Sequence, residues 1–322
     1  MGPFTGPQDE SLSNGWPRKS PGAICANKLM PTGILLLDKP AGMSSNAALQ
    51  RVRRLLGGCK AGHAGSLDPL ATGMLPLCLG EATKIAGEIL SSRKHYRFTV
   101  ALGARTATGD REGPVVEEAP VPARWQEGLQ AALRGFLGRG RQVPPMYSAL
   151  KRDGQPLYRL ARAGVTVERA PREIEIFELE PVSQTDQAVE LDVLCSKGTY
   201  VRTLAEDIAR ALGTCGHVSA LRRSWVEPFE QEGMETLEAL TRACEAGTPP
   251  RLVPVDRPLG HLPAVSLEAG QADRIGHGQE VVLLRSPPPG RVRLYGGGSF
   301  LGLGESDGRG KIRPRRLFTD PA

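Results

Sequence analysis

The chain has 322 residues, of which 40% are hydrophobic and 24% charged. That composition is ordinary for a globular protein, and the length suits one large domain plus a small one. No apolar run approaches the roughly 20 residues that cross a bilayer, and the first residues lack the apolar core of a secretory signal, so a cytoplasmic protein without membrane contact is expected. Forty-one Lys and Arg against thirty-five Asp and Glu permit a polyanionic partner without requiring one. From Arg251 onward eleven cations face seven acids, which marks the C-terminal end as a candidate nucleic-acid contact. The six cysteines (Cys25, Cys59, Cys78, Cys195, Cys215, Cys244) form no C-x-x-C pair, so reduced thiols are expected, with neither a metal site nor a disulfide framework.

Residues 1–29 are rich in Pro, Gly and Ser and show no apolar periodicity; they read as a floppy tail, with Met30 as an alternative start of translation. Ile34 to Leu37 reads as a buried strand closed by the Asp38-Lys39-Pro40 turn. Beyond Ser44 and Ser45, Ala48, Leu49, Val52, Leu55 and Leu56 recur at helical spacing until Gly57-Gly58. Residues 62–76 carry so many Gly and Pro that a shaped loop is expected, and neither a helix nor a central strand.

Tyr96, Phe98, Val100 and Leu102 alternate with Arg97, Thr99 and Ala101, the period of a half-buried strand. Trp125 to Leu137 reads as a helix, and Val189 to Cys195 alternates as another strand ending at Ser196-Lys197-Gly198. Leu204, Ala205, Ile208, Ala209 and Leu212 form a helical stripe with Arg202 just ahead of it. From Val255 to Leu317, short apolar segments such as Val281 to Leu284 and Val292 to Tyr295 alternate with Pro and Gly clusters, as in a small β-barrel. The irregular interleaving of strands and helices predicts an α+β fold on a mixed sheet.

One stretch carries the chemistry: Gly62-His63-Ala64-Gly65-Ser66-Leu67-Asp68-Pro69-Leu70-Ala71-Thr72-Gly73-Met74-Leu75-Pro76, continuing to Gly80-Glu81-Ala82-Thr83-Lys84. Alone, Asp68 before Pro69 is an ordinary turn residue. Together with Leu37-Asp38-Lys39-Pro40, Lys94-His95-Tyr96-Arg97, Met146 to Lys151, Cys195 to Thr203 and His217 to Arg223, the stretch resembles the signature of the pseudouridine synthases of the TruB type. The likeness covers nearly everything from Gly33 to the C-terminus and departs at Ala64, where most relatives carry Thr.

The resemblance implies a catalytic domain over residues 30–254, with an RNA-clamping insertion at about 113–142, and a PUA-like barrel over 255–322. It implies an isomerase without cofactor or metal that turns a T-loop uridine of tRNA (position 55) into pseudouridine. The expected nucleophile is Asp68, with Arg202 as its ion-pair partner holding its pKa low and Tyr96 stacking on a flipped base. Tyr200 and Leu221 are expected to line the pocket, His63 to fill the space that displaced bases leave, and Lys39 and Lys84 to contact phosphate or support the nucleophile loop. Arg313, Arg315 and Arg316 are expected phosphate contacts. The expected partner is the tRNA T arm, with the enzyme acting as a monomer without an obligate protein partner.

Three rivals follow from the same residues. A tRNA chaperone would not need Asp68 and Arg202; a guide-RNA-dependent synthase would not need the 113–142 insertion. A glycosidase would need a second carboxylate, and in sequence Glu81 alone stands near Asp68.

Overall fold

The computed structural model describes residues 31–152 and 154–318. The expected tail at 1–29, with Cys25 and Met30, lies outside the described residues. The large unit is built on a nine-stranded mixed sheet. In chain order its first part is β1 (Gly33–Lys39), α1 (Ser45–Leu55), β2 (Ala61–His63), β3 (Thr72–Leu79), a 3₁₀ turn (Gly80–Ile85), α2 (Ala86–Ser91) and β4 (Lys94–Leu102). A hairpin of β5 (Ala104–Thr106) and β6 (Val115–Glu118) leads to α3 (Trp125–Arg134) and β7 (Gly138–Gln142). The short pair β8 (Lys151–Arg152) and β9 (Gln155–Pro156) precedes α4 (Leu157–Arg162), β10 (Arg172–Gln184), β11 (Ala188–Cys195), α5 (Val201–Ala211), β12 (Gly216–Val226), β13 (Glu235–Thr236) and α6 (Leu237–Glu245).

The strand order is β13-β1-β3-β12-β4-β11-β10-β7, with β2 added on β3. The sheet is mixed because β12 runs parallel to β3 at Arg222–Thr72 and antiparallel to β4 along most of its length. One face carries Leu35, Leu37, Leu75, Leu77, Tyr96, Phe98, Val100, Leu191, Val193 and Leu221, and packs with Ala48, Leu49 and Val52 of α1 and Leu204, Ala205 and Ile208 of α5. The other face, at β1 and β3, is covered by Ile85 and Ile89 and by Phe300, Leu303 and Phe318 from the C-terminal unit.

Local chemistry explains the ends of the elements. Ser44 caps α1 by accepting the Ala47 N–H at 3.1 Å, and Gly57 and Gly58 leave it in the left-handed region (φ 72° and 84°).

The expectation of a loop across residues 62–76 is corrected: 61–63 and 72–79 are strands, and the loop is 64–71. Pro76 fits inside a central strand because its carbonyl accepts from Ala64 N on the β2 side. Nitrogen and carbonyl of one extended residue point the same way, so the missing N–H removes nothing from the β1–β3 ladder. Arg202 lies in the first turn of α5 and not ahead of it. Within the expected insertion, α3 buries Trp125, Leu129 and Leu133 in the main core and β7 forms the sheet edge.

The C-terminal unit has a five-stranded sheet in the order β14 (Ala264–Leu267), β16 (Gly290–Gly296), β17 (Ser299–Ser306), β18 (Lys311–Leu317), β15 (Val281–Val282), with α7 (Ala269–Gly276) packed against it. Its edges, β14 and β15, do not pair, so the expected barrel is a curled, PUA-like half-barrel with its own core of Val265, Ile275, Val292, Leu294 and Ile312.

Candidate active site

Asp68 sits on the loop between β2 and β3, and that loop is pinned from beneath. The Ser45 hydroxyl accepts the Leu67 N–H at 2.7 Å and donates to the Leu67 carbonyl at 3.0 Å. The fully buried Lys39 ammonium donates to the carbonyls of Pro40 and Met43 at 2.7 Å and of Pro69 at 3.3 Å. Gly42 N–H also reaches the Pro69 carbonyl, at 2.8 Å. Backbone on both sides of Asp68 is therefore fixed by buried partners, and the carboxylate between them is positioned at no further entropic cost. Burial holds the Lys39 pKa down to about 8. With its donors spent on carbonyls, Lys39 supports the loop and does not face phosphate.

The Arg202 guanidinium meets Asp68 in a fork, Nε to Oδ2 at 2.9 Å and Nη2 to Oδ1 at 3.2 Å. Its other donors reach the carbonyls of Thr108 and Tyr147, each at 2.7 Å. The Arg202 side chain is 5% exposed and that of Asp68 is 38% exposed, so the cation is enclosed and the carboxylate reaches solvent. The expectation that Arg202 holds the Asp68 pKa low is corrected. Desolvation is the largest influence and pushes the carboxyl up; Arg202 opposes it, and Asp110 adds to the rise.

Asp110 is a site residue that sequence reasoning missed. Its Oδ2 lies 3.7 Å from Arg202 Nη1, and it is buried, with Oδ1 accepting the Thr108 hydroxyl at 2.7 Å and Glu112 N–H at 3.1 Å. The statement that Glu81 alone stands near Asp68 is thereby corrected; Glu81 pairs instead with Lys84. Asp110 is 42 positions from Asp68 in sequence, and its motif, Thr-Gly-Asp, gave no signal beyond a turn.

Tyr96 is buried on β4 among the core residues, with Arg223 lying over its ring at 6.0 Å. Leu221, buried on β12, stands opposite Phe98. Tyr200 caps the start of α5, and Gln142 at the end of β7 brackets its backbone, accepting from Tyr200 N at 2.8 Å and donating to its carbonyl at 3.1 Å. His63 on β2 has a buried Nδ1 with no hydrogen-bond partner, and burial, aided by Arg223, lowers its pKa. The neighbouring Ala64 is fully buried.

Two groups lie elsewhere. Lys84 bonds Glu81 and, at 2.7 Å, the Leu317 carbonyl, which places it at the junction with the C-terminal unit. Arg313 pairs with Glu280, Arg315 with Glu305, and Arg316 donates to the Lys84 carbonyl. A denser basic stretch was missed: residues 134–172 hold nine Lys and Arg against Asp153 and Glu168, and apart from the half-buried Arg169 these cations are exposed. It adjoins the site through Tyr147 and Gln142. A running charge count would have found it.

Most of the chain is similar to known proteins. Residues 53–201 match the family model described as TruB family pseudouridylate synthase (N terminal domain), 202–259 the tRNA pseudouridylate synthase B C-terminal domain, and 263–318 the pseudouridine synthase II TruB C-terminal model. The chain is 50% identical over 290 residues to the tRNA pseudouridine synthase B of Aromatoleum aromaticum, covering 90% of this chain and 94% of that protein. It is 49% identical over 288 residues to that of Chromohalobacter salexigens, covering 89% and 94%. Among solved structures it is similar to a chain of a Cbf5–Nop10–Gar1 complex, with TM-score 0.64, 25% identity and coverage of 85% of this chain and 78% of that one. It also shares the fold of a chain in an H/ACA RNP bound to a substrate RNA containing 2'-deoxyuridine (TM-score 0.66, 21% identity, covering 90% of this chain and 86% of that one).

Proposed function

The chain belongs to the TruB family of pseudouridine synthases, and from that premise we propose that Asp68 is the nucleophile with which it isomerises the T-loop uridine of tRNA. The enzyme is a tRNA pseudouridine synthase, an isomerase. The observation that carries the assignment of Asp68 is its fork with buried Arg202 on a loop pinned on both sides. Such a carboxylate cannot turn away from an incoming nucleotide.

The reaction breaks the glycosidic bond at N1, turns the base and rejoins it through C5, with no redox change. Ionised Asp68 attacks, and Arg202 balances its charge as the covalent intermediate forms and collapses. Tyr96 packs against the flipped base and takes part in proton transfer at C5. Tyr200 and Leu221 line the pocket, and neutral His63 fills the space the nucleotide vacates, offsetting part of the few kcal/mol that flipping costs.

The exposed cations of 134–172 give the T arm a phosphate track leading to the pocket, and Arg313 and Arg315 extend phosphate contact onto the PUA-like unit. Lys84, 27% exposed, joins that contact at the junction of the two units. The enzyme works in the cytoplasm as a monomer with tRNA as its partner. Among the described residues no helix is long and apolar enough to cross a membrane.

The test is incubation of the purified protein with an unmodified tRNA transcript, followed by carbodiimide-blocked primer extension. A single stop in the T loop is expected; stops elsewhere alone, or none, would overturn the substrate assignment.

A further inference from the structure

Arg223 is the largest fully buried side chain, 1% exposed, and no carboxylate pairs with it among the described residues. Nε donates to the Met74 carbonyl at 2.7 Å and Nη2 to the Gly65 carbonyl at 3.1 Å. These bonds tie β12 to β3 and to the loop that carries Asp68. The remaining side of the guanidinium lies over the Tyr96 ring, its carbon 6.0 Å from the ring centre, near enough for its charge to favour the ionised phenol. A buried cation without a counter-ion is costly, and two carbonyls could be served by neutral donors. The full charge needs another reason.

Resting on the assignment of Tyr96 above, we propose that Arg223 is a positioning residue for proton transfer: it holds the Tyr96 phenol in place and stabilises its phenolate, so that Tyr96 removes the C5 proton. Once C5 has joined the sugar carbon it still bears its hydrogen. The phenolate takes that proton, the C5–H electron pair forms the C5–C6 double bond, N1 takes a proton from solvent, and the neutral phenol later returns its own to solvent. No oxidant or co-reactant is needed.

The charges facing Tyr96 and Arg223 agree with the role. Burial pushes the Tyr96 pKa up; Arg223 lowers it, while Cys195 on β11 and Asp68 on the loop raise it. Lys94 on β4, Lys39 on β1 and His63 on β2 face Arg223, and each has a lowered pKa. Among the described residues Arg223 is thus the one permanent cation facing the phenol, which Lys94, held at about 8, cannot replace at alkaline pH.

The experiment measures single-turnover pseudouridine formation on a tRNA transcript with saturating enzyme from pH 6 to 9.5. It compares wild type, Arg223→Met, Arg223→Lys, Tyr96→Phe and the double variant Arg223→Met/Tyr96→Phe. Wild-type turnover establishes the reading on which the proposal rests; without it that reading fails first. Arg223→Met is expected to lose at least about tenfold in rate, with tRNA affinity nearly unchanged and with its rate still climbing at pH values where wild type is level. Arg223→Lys is expected to move the profile part of the way back, and Arg223→Met to cost little more in the Tyr96→Phe background. A loss equal at every pH, or fully additive with Tyr96→Phe, would mean that Arg223 only holds the backbone and would overturn the proposal. Should Arg223→Met fail to fold, Arg223→Lys decides: a profile superimposable on wild type overturns it.

Discussion

At the residue scale the site turns on how one guanidinium divides its charge. Arg202 faces Asp68 and Asp110 together, so the neutralisation available to Asp68 is partial and burial leaves its pKa raised. The sign of the pH dependence follows. The nucleophile works only when ionised, so the rate falls as pH drops through the raised pKa, at higher pH than the ordinary carboxylate value of about 4 implies. Arg202→Lys loses the fork and should shift that acid limb further toward neutral pH while cutting the single-turnover rate by about a hundredfold or more; a limb that stays in place would separate Asp68 from the observed ionisation. A folded carboxyl with a raised pKa adds stability at low pH that is lost as pH rises through that value, so at neutral pH Asp68→Asn should melt no lower than wild type, which differential scanning calorimetry checks. Asp68, Arg202 and Tyr96 were legible in the sequence because each lies inside a recognisable run. Asp110 was not, because it sits in a plain turn; Arg223 closes the recognisable run His217 to Arg223, but nothing in the sequence assigned it a contact or a role.

At the scale of elements, β3 shows where pattern and structure part. Gly73 and Pro76 argue for a loop by composition, yet both are strand residues with local reasons for being there. Gly73 has φ 96°, and a Cβ at that position would lie 2.2 Å from the Arg223 carbonyl oxygen. Gly73→Ala therefore meets backbone that cannot yield and is expected to destabilise by about 3 kcal/mol or more, read as a lower urea midpoint with unchanged slope. An unchanged midpoint would show that β3 and β12 can separate there. By contrast, β1, α1, β4, β11 and α5 were legible to within a few residues, because β1 is a continuous apolar run, β4 and β11 alternate, and α1 and α5 carry apolar stripes that end at glycine. Leu283 and Leu284 were overread: the apolar run from Val281 continues as sequence, but β15 ends at Val282 and Leu284 is fully exposed.

At the scale of the whole molecule, the two units are fastened as well as apposed. Phe300, Leu303 and Phe318 share a core with Ile34, Ile85 and Phe229, while Lys84 bonds the Leu317 carbonyl and Arg316 the Lys84 carbonyl in return. Substitution can separate the fastening bond of Arg316 from the phosphate contacts proposed for Arg313 and Arg315. Arg316→Gln should lower the melting temperature by a few degrees, from a lost bond worth about 1 kcal/mol. Arg313→Gln with Arg315→Gln should leave melting nearly unchanged, since exposed ion pairs contribute about 0–1 kcal/mol. That pair should weaken full-length tRNA binding and reduce its salt slope by up to about 2, with a T-arm stem-loop unaffected; an unchanged slope would confine these cations to Glu280 and Glu305. The central claim, that Asp68 breaks the glycosidic bond of a tRNA uridine, is tested most directly by tritium release from tRNA labelled at uridine C5, with Asp68→Asn in saturating excess. Release below about one percent of the wild-type rate, with tRNA affinity within a few fold, is the predicted result; release near the wild-type rate from a variant shown by mass spectrometry to retain its amide would contradict it.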